Sequence, residues 1–204
     1  MPPARPRFRY KEQVRSTLRS ALLREAGASL LRDGCQDVRI DDVADACGVA
    51  KGTAYLQFAS RSELLGGAVQ RLDEALAAKL ADPPRKVAGP RATLRWTVLE
   101  AVDAQIAALA APDARDNGAA RECIAWPCCQ RVTPCPYGGA ARSLSVIERR
   151  ARALTAPGSD VTTPRTVADL LLTISIAKLV RPLQRPPAPA HRRFIARLFD
   201  RLLA

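Results

Sequence analysis

The residues most able to do chemistry in this 204-residue chain lie between positions 46 and 65, in the run ACGVAKGTAYLQFASRSELL. Lys51 has the reach for a phosphate oxygen or a guanine edge. Thr53 can donate to a phosphate or touch a thymine methyl, and Tyr55 and Gln57 can meet backbone or base. Gly52 sits in the first turn of what reads as a short helix, where glycine costs up to about 1 kcal/mol relative to alanine. That cost makes sense where a backbone must approach another surface. Arg61, at the head of the following helix, is placed for a flanking phosphate.

A second cluster lies at 121–139, where Cys123, Cys128, Cys129 and Cys135 fall within a proline-containing segment. Thiolates converging on a tetrahedral site would suit zinc or another thiophilic metal. The spacing C-x4-C-C-x5-C is not that of a zinc ribbon, and adjacent cysteines do not easily aim at one ion. Three readings stand: small buried side chains, a redox-sensing thiol pair, and a thiol-bound metal. No cofactor is expected to be required, a thiol-bound metal being the one candidate. Cys35 and Cys47 fall at core or turn positions and read as structural.

The elements that carry these residues are helical. Apolar residues recur three and four apart and few segments alternate with period two, so the expected fold is all-α. A first helix is expected from about Lys11 to Arg32, with Val14, Leu18, Leu22, Ala26, Leu30 and Leu31 on one face and Arg15, Arg19 and Arg24 off it. A short helix over 37–46 points Ile40, Val43 and Ala44 inward. Gly48 breaks it, and a second short helix follows at about 50–58. This pair forms a helix-turn-helix. Ser60 can cap the next helix with Glu63 as its capping-box partner, and Leu64, Leu65, Ala68, Val69, Leu72 and Leu76 line its core face before Asp82-Pro83-Pro84 stops it. Further helices are expected at about 91–111, 118–126, 139–155, 163–181 and 189–203.

Charge and composition agree with such a protein. Thirty-two Lys+Arg against 20 Asp+Glu give +12, which favours a polyanionic partner, and 48% hydrophobic residues with 4% aromatics suit a helical globule. The basic N-terminal stretch has no apolar run behind it, so it does not read as a signal peptide, and the most apolar stretch, 167–180, is too short to span a membrane. A cytoplasmic protein without a membrane partner is expected.

The order Gly34, Ile40-Asp41-Asp42-Val43-Ala44, Cys47-Gly48-Val49-Ala50-Lys51-Gly52-Thr53-Ala54-Tyr55, Phe58-Ala59-Ser60-Arg61 and Leu64-Leu65 resembles the N-terminal domain of the TetR family of bacterial transcriptional regulators. The resemblance covers about residues 12–70. It implies three DNA-binding helices, a connecting fourth, and a divergent C-terminal domain with a ligand pocket and a dimer interface. Its DNA-facing residues would be Arg39, Ala50, Lys51, Gly52, Thr53, Tyr55, Gln57 and Arg61. Val38 stands where a phosphate-binding hydroxyl residue is common, and Arg39 beside it could bind that phosphate instead. Ala50, Ala54 and Leu56-Gln57 also depart from the usual residues, which bears on operator sequence.

The chain therefore divides into a basic arm at 1–11, a helix-turn-helix domain at 12–60, a connecting helix at 61–82, and an effector-binding and dimerisation domain at 83–204. Arg5, Arg7, Arg9 and Lys11 could enter a minor groove or stay solvated. Trp96, Leu99, Ile106, Trp126 and Tyr137 are candidates for an effector pocket, with plain core as the alternative. The helices carrying Val167, Leu171, Ile174 and Lys178, and Phe194, Ile195, Leu198 and Leu202, are expected to pair with their copies in a homodimer. The expected function is a ligand-responsive regulator, most simply a repressor, that binds double-stranded DNA and answers a small-molecule effector. The competing class is a thiol-redox or metal protein built on Cys123–Cys135. An enzyme is disfavoured: His191 is the only histidine, and no phosphate-binding glycine loop is present.

Overall fold

The computed structural model describes residues 6–33, 37–109, 141–154, 162–180 and 188–203. These form eight helices, with no strand among them: α1 (Pro6–Asp33), α2 (Ile40–Ala46), α3 (Lys51–Tyr55), α4 (Arg61–Ala81), α5 (Pro90–Leu109), α6 (Ala141–Arg152), α7 (Thr162–Val180) and α8 (Ala188–Leu202). The helix expected at 118–126 lies outside the described residues.

Helix α1 begins earlier than its apolar pattern suggests. Pro6 opens it, where a fixed φ and a missing N–H carry no penalty. Residues 6–11 of the expected arm are thus helical. Leu22, Ala26 and Leu30 are buried at successive turns, but Val14 is half exposed because residues 11–17 run past the helices against which the rest of α1 packs.

Helix α2 points Ile40, Val43 and Ala44 inward as expected, with Asp41 and Asp42 in its first turn complementing the helix dipole. Gly48 has φ +66°, the left-handed conformation that lets the chain turn sharply, and the Val49 amide reaches back to the Ala44 carbonyl at 3.0 Å. Helix α3 is shorter than expected. After Tyr55 the chain tightens, the amides of Gln57 and Phe58 both donating to the Ala54 carbonyl, and Phe58 drops fully into the core.

The cap of α4 forms at the expected residues. Ser60 Oγ accepts from the Glu63 amide at 3.1 Å, and the Glu63 carboxylate accepts from the Ala59 amide at 2.9 Å, one residue upstream of the usual reciprocal partner. With 21 residues, α4 is about 30 Å long at 1.5 Å per residue. It joins two cores. Leu64, Leu65, Ala68 and Val69 pack with α1–α3, whereas Leu76 and Leu80 pack with α5–α8.

The second core centres on Leu94, Val98 and Val102 of α5, Ile147 of α6, Leu171 and Leu172 of α7, and Ile195 and Phe199 of α8. Helices α5 and α8 run antiparallel, fixed by Arg95 to Asp200 at 2.7 Å near one end and Arg192 to Asp103 at 2.7 Å near the other. The apolar residues expected to pair across a dimer are corrected here. Val167, Leu171 and Ile195 are buried in the chain's own core, and Ile174, Phe194 and Leu198 pack against it. Among the described residues, Leu202 and, unexpectedly, Leu170 are the large apolar side chains that α7 and α8 leave exposed, because each helix turns its most apolar stripe inward.

Among the described residues no helix is long and apolar enough to cross a membrane.

Candidate nucleic-acid interface

Helix α3 presents a mixed surface on a firm base. Ala54 is buried against the core and Gly48 sets the preceding turn, so Ala50, Lys51, Gly52 and Tyr55 are left exposed, with Thr53 and Gln57 half-buried at the edge. A Cβ at Gly52 would meet nothing within 4 Å. The backbone at Gly52 is therefore open to the outside.

The cation of this surface is held by its neighbours on α2. Lys51 Nζ lies 3.3 Å from Asp41 and 4.0 Å from Asp45, and the hydrogen bond to Asp41 is the main reason its pKa is raised. The negative charge of Asp41, and a hydrogen bond to it, likewise push the Tyr55 hydroxyl up. Asp41 thereby holds the Lys51 ammonium, a role the sequence alone did not disclose. Arg39 is exposed at the N-cap of α2, where its side chain makes no capping bond. Arg61 Nε donates to the Val38 carbonyl at 2.7 Å, tying the head of α4 to the entry of α2. Val38 itself is buried, so the residue in the usual hydroxyl position serves packing instead.

Arg19 is the main residue that helical periodicity misplaced. Far from lying off the packed face, its guanidinium covers the Phe58 ring at 4.2 Å, pairs with Glu63 at 3.0 Å and donates to the Gln57 carbonyl. One arginine thus braces the exit of α3 against α1 and the cap of α4. Its planar fork and methylene stem allow that burial, a behaviour that a polar-outside rule does not capture. Together the Ala59 amide and Arg19 hold the Glu63 carboxyl below its ordinary value.

The other expected sites fare differently. Leu99 is a core residue, Ile106 packs beside that core, and Trp96 is half-buried with Arg150 5.5 Å above its ring. Trp126, Tyr137, Cys123, Cys128, Cys129 and Cys135 lie outside the described residues, as does Cys35. Among the described residues no group of three or more His, Cys, Asp or Glu is arranged to hold a metal ion. Cys47 is half-buried and its thiol is pushed up chiefly by burial, with Glu25 adding to it, which suits a structural cysteine.

Residues 22–68, from the middle of α1 into α4, match the model of the bacterial regulatory proteins of the tetR family. The N-terminal domain belongs to the tetR family. No curated protein matches the sequence. Solved structures extend the likeness through the C-terminal helices. A protein from Rhodococcus sp. assigned to the TetR family of transcriptional regulators superposes with a TM-score of 0.64 at 18% identity, over 91% of this chain and 98% of its own. A TetR transcriptional regulator from Rhodococcus sp. RHA1 gives 0.56 at 19% identity, over 94% and 96%. A tetR-family transcriptional regulator from Streptomyces coelicolor gives 0.58 at 18%, over 91% and 79%. At such identities the likeness is one of fold. Over the described residues the shared fold is a helix-turn-helix region followed by a helical domain.

Proposed function

We propose that this tetR-family regulator binds a pseudo-palindromic DNA operator as a homodimer, acts as a repressor by occupying it, and releases or tightens its hold when a small molecule enters the C-terminal domain. The observation that carries the reading is the exposed face of α3. Lys51, Tyr55 and the open backbone at Gly52 stand out from a rigid three-helix base, with Thr53, Gln57, Arg39 and Arg61 around them. A dimer would offer two such faces to successive major grooves, about 34–36 Å apart. Leu170 and Leu202, exposed on α7 and α8, support an interface on that side.

The test uses the full-length protein and duplex fragments taken from the DNA flanking its own gene. Binding of two chains per fragment, competed poorly by unrelated duplex, is the expected result. A protein that sediments as a monomer at micromolar concentration and binds all duplexes alike would remove the operator and dimer readings together.

A further inference from the structure

Three helices of the C-terminal domain carry apolar stripes into the core, and each stripe also carries a buried polar residue. On α5 the buried run Leu94, Val98, Ala101 and Val102 continues to Gln105. On α7 the run Val167, Ala168, Leu171 and Leu172 continues to Ser175, and on α8 the run Phe199 and Ile195 continues backward to His191. Gln105 and His191 are 2% and 1% exposed and Ser175 is fully buried.

The three polar residues sit at one end of the bundle. The Arg192 to Asp103 pair at 2.7 Å sets the start of α8 level with the last turns of α5. Ser175 Oγ lies 2.7 Å from His191 Nε2, which sets α7 at the same level. Gln105 is two residues beyond Asp103, about 3 Å along the helix axis. Its amide is the anomaly: among the described residues neither Oε1 nor Nε2 has a hydrogen-bond partner. Burying an amide without compensation is costly, so an apolar residue should stand there unless something else completes the site.

We propose that Gln105, at the same level of the bundle as the Ser175–His191 pair, forms the polar end of a binding site for a small uncharged molecule that presents a hydrogen-bond donor next to an acceptor, as the edge of a primary amide or lactam does. The glutamine amide offers that same pair in reverse, a carbonyl beside an NH2. Asp103 and Arg192, both part exposed, pair with each other, and no Asp, Glu, Lys or Arg is buried at this level among the residues whose side chains are described, so an unpaired formal charge on the ligand would be left uncompensated. This rests on the reading of the chain as a ligand-responsive regulator and gives its effector a chemical class.

The experiment compares wild type with Gln105→Leu and Gln105→Met in thermal unfolding and ligand-observed NMR, with benzamide as probe and N,N-dimethylbenzamide as the control that lacks the donor. Expected are a saturable rise in the wild-type midpoint with benzamide alone, variants at least as stable as wild type without it, and binding weakened about tenfold or more in both variants. The dimethyl compound should bind the three proteins alike and weakly. Variants clearly less stable than wild type, no benzamide effect on the wild type, or an equal effect on all three proteins would overturn the site. Should either variant fail to fold, the contrast between the two probes on the wild type alone decides. Duplex affinity is measured in parallel: Gln105-dependent binding of benzamide that leaves it unchanged supports the site and counts instead against ligand control of DNA binding.

Discussion

The two cores that share α4 are built on different rules. The N-terminal core closes around small and aliphatic residues, Ala26, Ala44, Ala54 and Ala68 among Leu22, Leu64 and Leu65, and is sealed by Phe58 under the Arg19 guanidinium. Apart from the buried Ser29, its polar groups sit at the rim, several of them in caps and braces. The C-terminal core admits polar groups to its interior. Asp73 on α4 is buried and accepts from the amides of Arg142 and Ser143 and from the Ser143 hydroxyl, at 2.9, 3.1 and 2.6 Å, capping α6 from another helix. Gln105, Ser175 and His191 lie inside the same bundle. The first core supports an outward face; the second buries hydrogen-bonding groups, which is what the proposed effector site would use.

The largest effect that would break this contrast is expected at Phe58. Phe58→Ala removes a fully buried ring and the support beneath Arg19, and should cost about 3–5 kcal/mol in chemical denaturation. Asp73→Ala should come next, at about 2–3 kcal/mol, because it leaves amides at the start of α6 without their acceptor; proteolysis near 141–143 and a lower unfolding midpoint would report it. Two glycines sharpen the comparison within the N-terminal half. At Gly27 a Cβ would sit in ordinary contact with Leu72, 3.7 Å away, so Gly27→Ala should stabilise by about 0.5–1 kcal/mol. At Gly67 it would meet Leu23 Cδ2 at 2.7 Å. Leu23 must turn aside there, and the gain should be cancelled to within about 1 kcal/mol. Smallest is Glu63→Gln. The lowered pKa of Glu63 means that its contribution is present above the ordinary glutamate value and is lost as pH falls through the folded one. Stability curves of variant and wild type should therefore converge at acid pH and separate slightly at neutral pH.

The same contrast explains what could be read in the sequence. The N-terminal elements obey local rules: the helical spacing of Leu22, Ala26 and Leu30, the turn at Gly48 and the cap at Ser60 are each written within a few residues. So are the exposed candidates on α3. What escaped were contacts made across sequence. Arg19 meets Phe58 and Glu63 some forty residues on, and Asp73 meets the start of α6 about seventy residues on. The dimer faces were misjudged for a related reason: periodicity shows which stripe of α7 or α8 is apolar but not whether its partner is α5 or a second copy. The buried polar residues of the C-terminal core were invisible because Gln105, Ser175 and His191 are unremarkable singly, and Ser175 meets His191 only through the register of two helices.

The most direct test of the proposed DNA interface is the salt dependence of duplex binding by wild type and Lys51→Ala, using the fragment that the wild type binds best. Lys51 must exchange Asp41 for a phosphate, so its loss should weaken binding at every salt concentration and reduce the slope of log affinity against log salt by about one unit. Identical affinity and slope in the two proteins would contradict the placement of Lys51 against DNA, and with it the use assigned to the exposed face of α3.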